Sequence, residues 1–73
     1  MKEKDLKNII KKLSEIKIKN FNNFEWDSLL QLSILMELEK KFPGKITTIK
    51  KISEINTYQN LLKVLKKKKI IND

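Results

Sequence analysis

Residues 28–42 read SLLQLSILMELEKKF and contain no residue that breaks a helix. Leu, Met, Gln, Glu and Lys dominate the segment, and all are strong helix formers. The carboxylate of Asp27 can accept a hydrogen bond from a first-turn N–H group, and its charge suits the positive end of the helix dipole. Pro43 and Gly44, the only proline and glycine of the 73 residues, follow directly. We therefore predict a helix over residues 28–42.

Apolar side chains cover much more than one narrow stripe of this predicted helix. They are Leu29, Leu30, Leu32, Ile34, Leu35, Met36, Leu38 and Phe42. A helix with so many apolar positions must be covered by neighbours on several sides. We expect it to be the central helix of a small bundle, with Ser28 exposed at its N-terminal tip.

Two further segments have the apolar period of an amphipathic helix. The first predicts a helix over residues 3–16, and its apolar positions are Leu6, Ile9, Ile10, Leu13 and Ile16. The second predicts a helix over residues 57–68, and its apolar positions are Tyr58, Leu61, Leu62 and Leu65. Residues 18–24 have clustered Asn and no helical period, so we expect a loop there.

An isoleucine recurs at every third position between the central and last helices, at Ile46, Ile49, Ile52 and Ile55. This spacing suits a short helix or a 3₁₀ turn with one buried edge. The β-branched residues also permit a strand, but a lone strand would have no partner. We favour a short helix over residues 49–54 and expect the tail, residues 66–73, to fray. The sequence predicts one all-α domain over residues 1–73, a small bundle of three main helices plus one short helix.

Histidine and cysteine are both absent from the chain. The sequence therefore excludes a disulfide framework, a Cys-based metal site and the commonest general base. Asp27 and Ser28 lack the base that a serine nucleophile needs. We predict no catalytic residues, no metal site and no enzymatic activity.

The net charge of +8 comes from 17 basic residues, all of them Lys. Such a charge indicates nucleic acid or an anionic membrane as a partner. However, none of these residues is Arg, the residue that most often reads bases in nucleic-acid complexes. No apolar run is long enough to span a membrane. We expect a cytoplasmic monomer without specific nucleic acid or membrane binding. A small basic helical module that binds nucleic acid or a partner protein remains the alternative, and a small inhibitor or adaptor is a third.

Asp27-Ser28-Leu29 is the one chemically suggestive place, because a Ser hydroxyl at a helix N-terminus can hold a phosphate ester. Here the sequence resembles the acyl carrier protein family, in which Asp-Ser-Leu opens the second helix. Leu32, Leu35, Met36, Leu38-Glu39 and Phe42 follow in matching places. The residues from Ile46 to Leu61 look like the family's third helix and the start of its fourth, so the resemblance covers nearly the whole chain.

The resemblance implies that Ser28 receives a 4′-phosphopantetheine arm from a phosphopantetheinyl transferase that uses coenzyme A and Mg²⁺. Asp27 would help to position that Mg²⁺, and Leu29 would contact the transferase. The arm would carry an acyl or aminoacyl group as a thioester, supplied by a loading enzyme and consumed by downstream transferases. The positions expected to dock partners are Trp26, Leu30, Ser33, Met36 and Glu37.

Several features differ from carriers of fatty-acid synthesis. Phe24-Glu25-Trp26 replaces the usual Gly-containing step, and the first loop, roughly residues 17–26, is much shorter. Leu30 and Ser33 stand where those carriers tend to place acids. Trp26 before Asp27 is similar to stand-alone carriers of dedicated small pathways. We therefore expect a dedicated biosynthetic pathway and a short or polar cargo.

Overall fold

The computed structural model describes residues 1–14, 21 and 24–72. The helices that lie wholly within these residues are α1 (Glu3–Ser14), α2 (Ser28–Lys41), the 3₁₀ helix (Ile52–Glu54) and α3 (Tyr58–Lys67). The described part contains no strand, only an isolated antiparallel bridge. The predicted all-α class is confirmed. The predicted last residues of the first helix, and most of the predicted loop, lie outside the described residues.

The core is formed by one face of each α-helix together with the segments between and after them. α1 contributes Leu6, Ile9 and Ile10, and α3 contributes Tyr58, Leu61 and Leu65. α2 buries only Gln31, Ile34 and Leu38, which lie at i, i+3 and i+7. The remaining core residues are Trp26, Ile46, Ile49, Ile52, Ile70 and Ile71. No described helix is both long and apolar enough to cross a bilayer.

Residues 43–55, the turn segment, run from the end of α2 towards α3 as successive tight turns. The N–H of Ile49 donates to the carbonyl of Ile46 at 3.1 Å, and the N–H of Ile52 donates to that of Ile49 at 3.2 Å. Turns of three residues place every third side chain on the same edge. Ile46, Ile49 and Ile52 are accordingly all buried. Within the predicted range 49–54, only Ile52–Glu54 is helical, and it is a 3₁₀ helix.

Glu39 holds the turn segment against the last turns of α2. Its Oε2 accepts a 2.8 Å hydrogen bond from the N–H of Gly44, and its Oε1 accepts a 3.1 Å bond from the Thr47 hydroxyl. Gly44 has φ +77°, a left-handed conformation that residues with a Cβ rarely adopt. The Glu39 carboxylate is therefore engaged in fixing the chain reversal after α2.

The isolated bridge, between Glu25 and Thr57, ties the start of α2 to the start of α3. The N–H of Trp26 donates to the carbonyl of Asn56 at 3.0 Å, and the N–H of Tyr58 donates to that of Phe24 at 3.2 Å. Two backbone hydrogen bonds thus fix the N-termini of both helices side by side. Ser28 lies at this end of the molecule.

The C-terminal tail does not fray, so this prediction was wrong over residues 66–72. Lys69 adopts a left-handed conformation with φ 60°, and the N–H of Ile70 donates to the carbonyl of Leu65 at 2.9 Å. This is the Schellman ending of a helix, and it folds Ile70 and Ile71 back into the core. The N-terminal ammonium of Met1 donates to the carbonyl of Ile70 at 2.7 Å, which joins the tail to the start of α1.

Candidate functional site

Asp27 caps the N-terminus of α2, as its position in the sequence predicts. Its backbone is extended, with φ −79° and ψ 175°. Its Oδ1 accepts a 2.9 Å hydrogen bond from the N–H of Leu30, and its carbonyl accepts a 3.0 Å bond from the N–H of Gln31. These contacts begin the helix at Ser28 and place a carboxylate directly beside the serine.

Ser28 is the first residue of α2 and is exposed. The N–H groups at the start of a helix have no intrahelical acceptor, so the backbone there attracts an anion. Since the chain has no His, no imidazole can activate the Ser28 hydroxyl. The Ser28 hydroxyl therefore lies exposed at a position where the backbone favours an anion.

The apolar surface of α2 is not covered on all sides, contrary to the expectation from the sequence. The described residues include three large exposed hydrophobic side chains: Leu29 (74% exposed), Leu32 (56%) and Met36 (56%). They follow one another at i, i+3 and i+7 and therefore lie along one stripe of the helix. We call these three residues the α2 ridge. The bundle covers only the opposite side of α2, where Ile34 and Leu38 are buried.

A cleft of about 690 Å³ lies between α2 and the turn segment, and we call it the α2 cleft. The α2 side contributes Leu32, Leu35, Met36 and Glu39, and residues 47–53 form the other side. Leu32 is four residues after Ser28, so the two share a helix face, roughly 6 Å apart along the axis. The cleft therefore begins about one helical turn from the Ser28 hydroxyl.

The predicted docking residues do not form one surface. Met36 belongs to the α2 ridge, whereas Leu30 is half-buried against the core. Ser33 donates its hydroxyl proton to the carbonyl of Leu29 at 3.1 Å. Glu37 lines a different cleft, of about 540 Å³, between α1 and α2. Of these four residues, only Met36 lies on the exposed ridge next to the α2 cleft.

Trp26 was also predicted as a docking residue, and the structure places its side chain in the core. Its side chain is only 6% exposed and belongs to the core, with its ring 5.8 Å from that of Phe24. Its indole N–H has no hydrogen-bond partner among the described residues. Trp26 therefore packs the entry to α2 and offers a partner almost no surface.

Two residues near the site were missed by the sequence reasoning. The side-chain amide of Gln31 is buried and donates a hydrogen bond to the carbonyl of Ser53, which joins α2 to the turn segment. Its position three residues before Ile34 and seven before Leu38 could have placed it on the buried face. Leu32 was expected in the core but stands at the mouth of the α2 cleft. Nothing in the α2 pattern distinguishes its exposed leucines from its buried one.

The described residues bring no three acidic side chains together in a way that could hold a metal ion. Asp27 is the carboxylate nearest in sequence to Ser28. Comparisons of the chain with protein-family models, with curated proteins and with solved structures found no match.

Proposed function

We propose that this protein is a carrier that holds an acyl or aminoacyl group as a thioester on a 4′-phosphopantetheine arm attached to Ser28. It would serve a dedicated biosynthetic pathway. The observation that carries the proposal is the exposed Ser28 hydroxyl at the start of a capped helix, one turn from an apolar cleft. The resemblance of Asp27-Ser28-Leu29 to the motif of acyl carrier proteins is the reason for assigning the phosphopantetheine arm to this hydroxyl.

The arm would be attached by a phosphopantetheinyl transferase. The Ser28 oxygen would attack the β-phosphorus of coenzyme A and form a phosphodiester bond with the pantetheine arm. The pyrophosphate bond of coenzyme A would break, and adenosine 3′,5′-bisphosphate, which keeps the second phosphate, would leave. Because Ser28 has no base of its own, the transferase would accept the hydroxyl proton and supply Mg²⁺. Asp27, already fixed as the helix cap, would add one carboxylate oxygen to that Mg²⁺. Leu29, 74% exposed, would contact the transferase surface.

The architecture supports this proposal at the level of the fold. Three α-helices, with a 3₁₀ helix between the second and third, follow the order that the resemblance implies. We propose an acyl-carrier-like bundle that acts as a cytoplasmic monomer and catalyses nothing itself. The loading enzyme and the downstream transferases would approach the arm from the Ser28 end of α2.

The cargo would be short or polar. Ile34 and Leu38, the buried aliphatic residues of α2, are at most 1% exposed and belong to one packed core. The α2 cleft lies at the surface, with Thr47, Lys50 and Ser53 among its lining residues. A long acyl chain placed there would keep much of its surface in water, which is unfavourable. Purified carrier found loaded with long fatty acyl groups would contradict this part.

The experiment that tests the proposal is the intact mass of the chain after incubation with a broad-specificity phosphopantetheinyl transferase, coenzyme A and Mg²⁺. We expect the wild type to gain one phosphopantetheine and Ser28→Ala to gain none. A control at another exposed serine, Ser53→Ala, should be loaded like the wild type. If several transferases add no mass, Asp27 is an ordinary helix cap. Binding of a DNA or RNA duplex, measured against salt, would then test the basic-module alternative.

A further inference from the structure

The α2 ridge is the most conspicuous uncovered surface in the described part of the chain. Leu29, Leu32 and Met36 are each more than half exposed and lie along one stripe. Exposed apolar side chains scattered singly are ordinary, whereas a contiguous group beside a cleft marks an interaction site. A ridge of this kind beside a groove is the geometry in which an amphipathic segment docks its apolar side chains.

The rim of the α2 cleft is basic. Lys50 and Lys51 line its far wall, and both are exposed. Lys40 lies four residues after Met36 and therefore extends the stripe of the ridge at its C-terminal end. The one acid in the lining, Glu39, already accepts hydrogen bonds from Gly44 and Thr47. The cleft lining thus has two lysines and one glutamate whose oxygens face the turn segment.

Lys51 occupies its position at a conformational cost. Its backbone has φ 63° and ψ 20°, the left-handed conformation that glycine or asparagine adopts more easily. The chain nevertheless has a lysine here, at the rim of the cleft, immediately before the 3₁₀ helix. This conformation fixes the direction in which the Lys51 side chain leaves the backbone.

We infer that the α2 ridge and cleft dock a segment of a partner protein that is apolar in the middle and acidic at its edges. Leu32 and Met36 would contact its apolar side chains, while Lys40, Lys50 and Lys51 would pair with its Glu or Asp residues. Charge complementarity selects this occupant, because lysines around an interface favour acidic partners and repel basic ones. The inference rests on the ridge and its rim and does not require an arm on Ser28.

The test uses two synthetic amphipathic helical peptides with identical apolar positions, one flanked by Glu and the other by Lys. Their binding to the full chain is measured by fluorescence anisotropy at low and physiological salt. We expect the Glu peptide to bind more tightly, with an affinity that falls as salt rises. Lys50→Glu/Lys51→Glu should weaken binding of the Glu peptide about tenfold and strengthen binding of the Lys peptide. Both substituted residues would then repel the Glu peptide and attract the Lys peptide.

Two further variants separate the proposed site from general charge. Lys66→Glu/Lys67→Glu, at the end of α3, changes the net charge by the same amount as the rim variant. It should leave the preference for the Glu peptide intact. Leu32→Ser/Met36→Ser alters only exposed side chains and should abolish binding while the far-ultraviolet circular dichroism stays unchanged. Ser28→Ala should bind like the wild type, so a failure of the carrier proposal would not affect this result.

Three outcomes would overturn the inference. The first is equal affinity for the two peptides, or no binding of either. The second is a loss in the α3 variant as large as in the rim variant, which would show general attraction to a basic protein. The third is tighter binding of a DNA duplex at the same lysines, unaffected by the serine substitutions on the ridge, which would assign the rim to nucleic acid.

Discussion

The phenol of Tyr58 donates a 2.6 Å hydrogen bond to Oε2 of Glu3, joining the first turn of α3 to the first turn of α1. Tyr58 is 1% exposed, and its ring lies 4.9 Å from that of Phe21. Glu3 also lies 3.7 Å from the ammonium of Lys7. One buried phenol thus connects α3, α1 and the chain leading to α2. This is the same end of α3 that the bridge at Thr57 fixes beside Ser28.

Tyr58→Phe removes the hydroxyl and keeps the ring. We expect the free energy of unfolding to fall by about 1–2 kcal/mol, because the lost hydrogen bond goes to a charged acceptor. Urea unfolding followed by circular dichroism measures this. Glu3→Gln and the double variant complete a cycle, whose coupling energy should be about 1 kcal/mol. If the two single effects simply add, the hydrogen bond contributes nothing to stability.

Gln31→Glu replaces the buried donor that binds the Ser53 carbonyl with a carboxylate. Two acceptors would then face each other inside the protein, and a buried charge would have no partner. We expect a loss of about 2–3 kcal/mol in the free energy of unfolding, measured in urea. Gln31→Met, which removes the donor without adding charge, should cost about 1 kcal/mol. A Gln31→Glu protein as stable as the Met variant would show that this contact is solvated.

The sequence predicted the helices because their signals are local. Caps, apolar period and the Pro43-Gly44 stop lie within or next to the segments that they define. The three α-helices begin within one residue of the predicted positions, and α2 and α3 also end within one residue of them. Which apolar side chains of α2 are covered is a different question, since it depends on where α1, α3 and the turn segment pack. Leu32 and Leu38 look alike in the sequence, yet only Leu38 is buried.

The part of the candidate site that depends on local sequence signals was predicted, and the part that depends on packing was not. Asp27 and Ser28 stand at a helix start that local capping rules locate. The α2 cleft could not be predicted, because its far wall is the turn segment. The isoleucines of that segment indicated a buried edge but not the neighbour that it packs against. The tail was mispredicted because four consecutive lysines outweighed the apolar pair Ile70-Ile71.

Ile70→Ala tests whether the tail is part of the folded core. Ile70 is buried after the helix-ending turn at Lys69, so its truncation should lower the free energy of unfolding by about 2–4 kcal/mol. Urea unfolding measures the loss. Asn72→Ala is the matched control, because the Asn72 contact with Met1 is made by the backbone N–H and its side chain is exposed. The control should change stability by less than about 0.5 kcal/mol. A tail that frays would make both variants as stable as the wild type.

Asp27→Asn separates the two roles assigned to this residue, the helix cap and the help with Mg²⁺. Asparagine caps a helix as well as aspartate, so unfolding in urea should differ from the wild type by less than about 0.5 kcal/mol. Asp27→Ala loses the hydrogen bond to the Leu30 N–H and should cost about 1 kcal/mol. If Asp27 helps to position the Mg²⁺ of the transferase, the initial rate of arm transfer, followed by intact mass, should fall about tenfold in both variants. If Asp27→Asn is loaded at the wild-type rate and only Asp27→Ala is slow, Asp27 acts solely as the cap that presents Ser28.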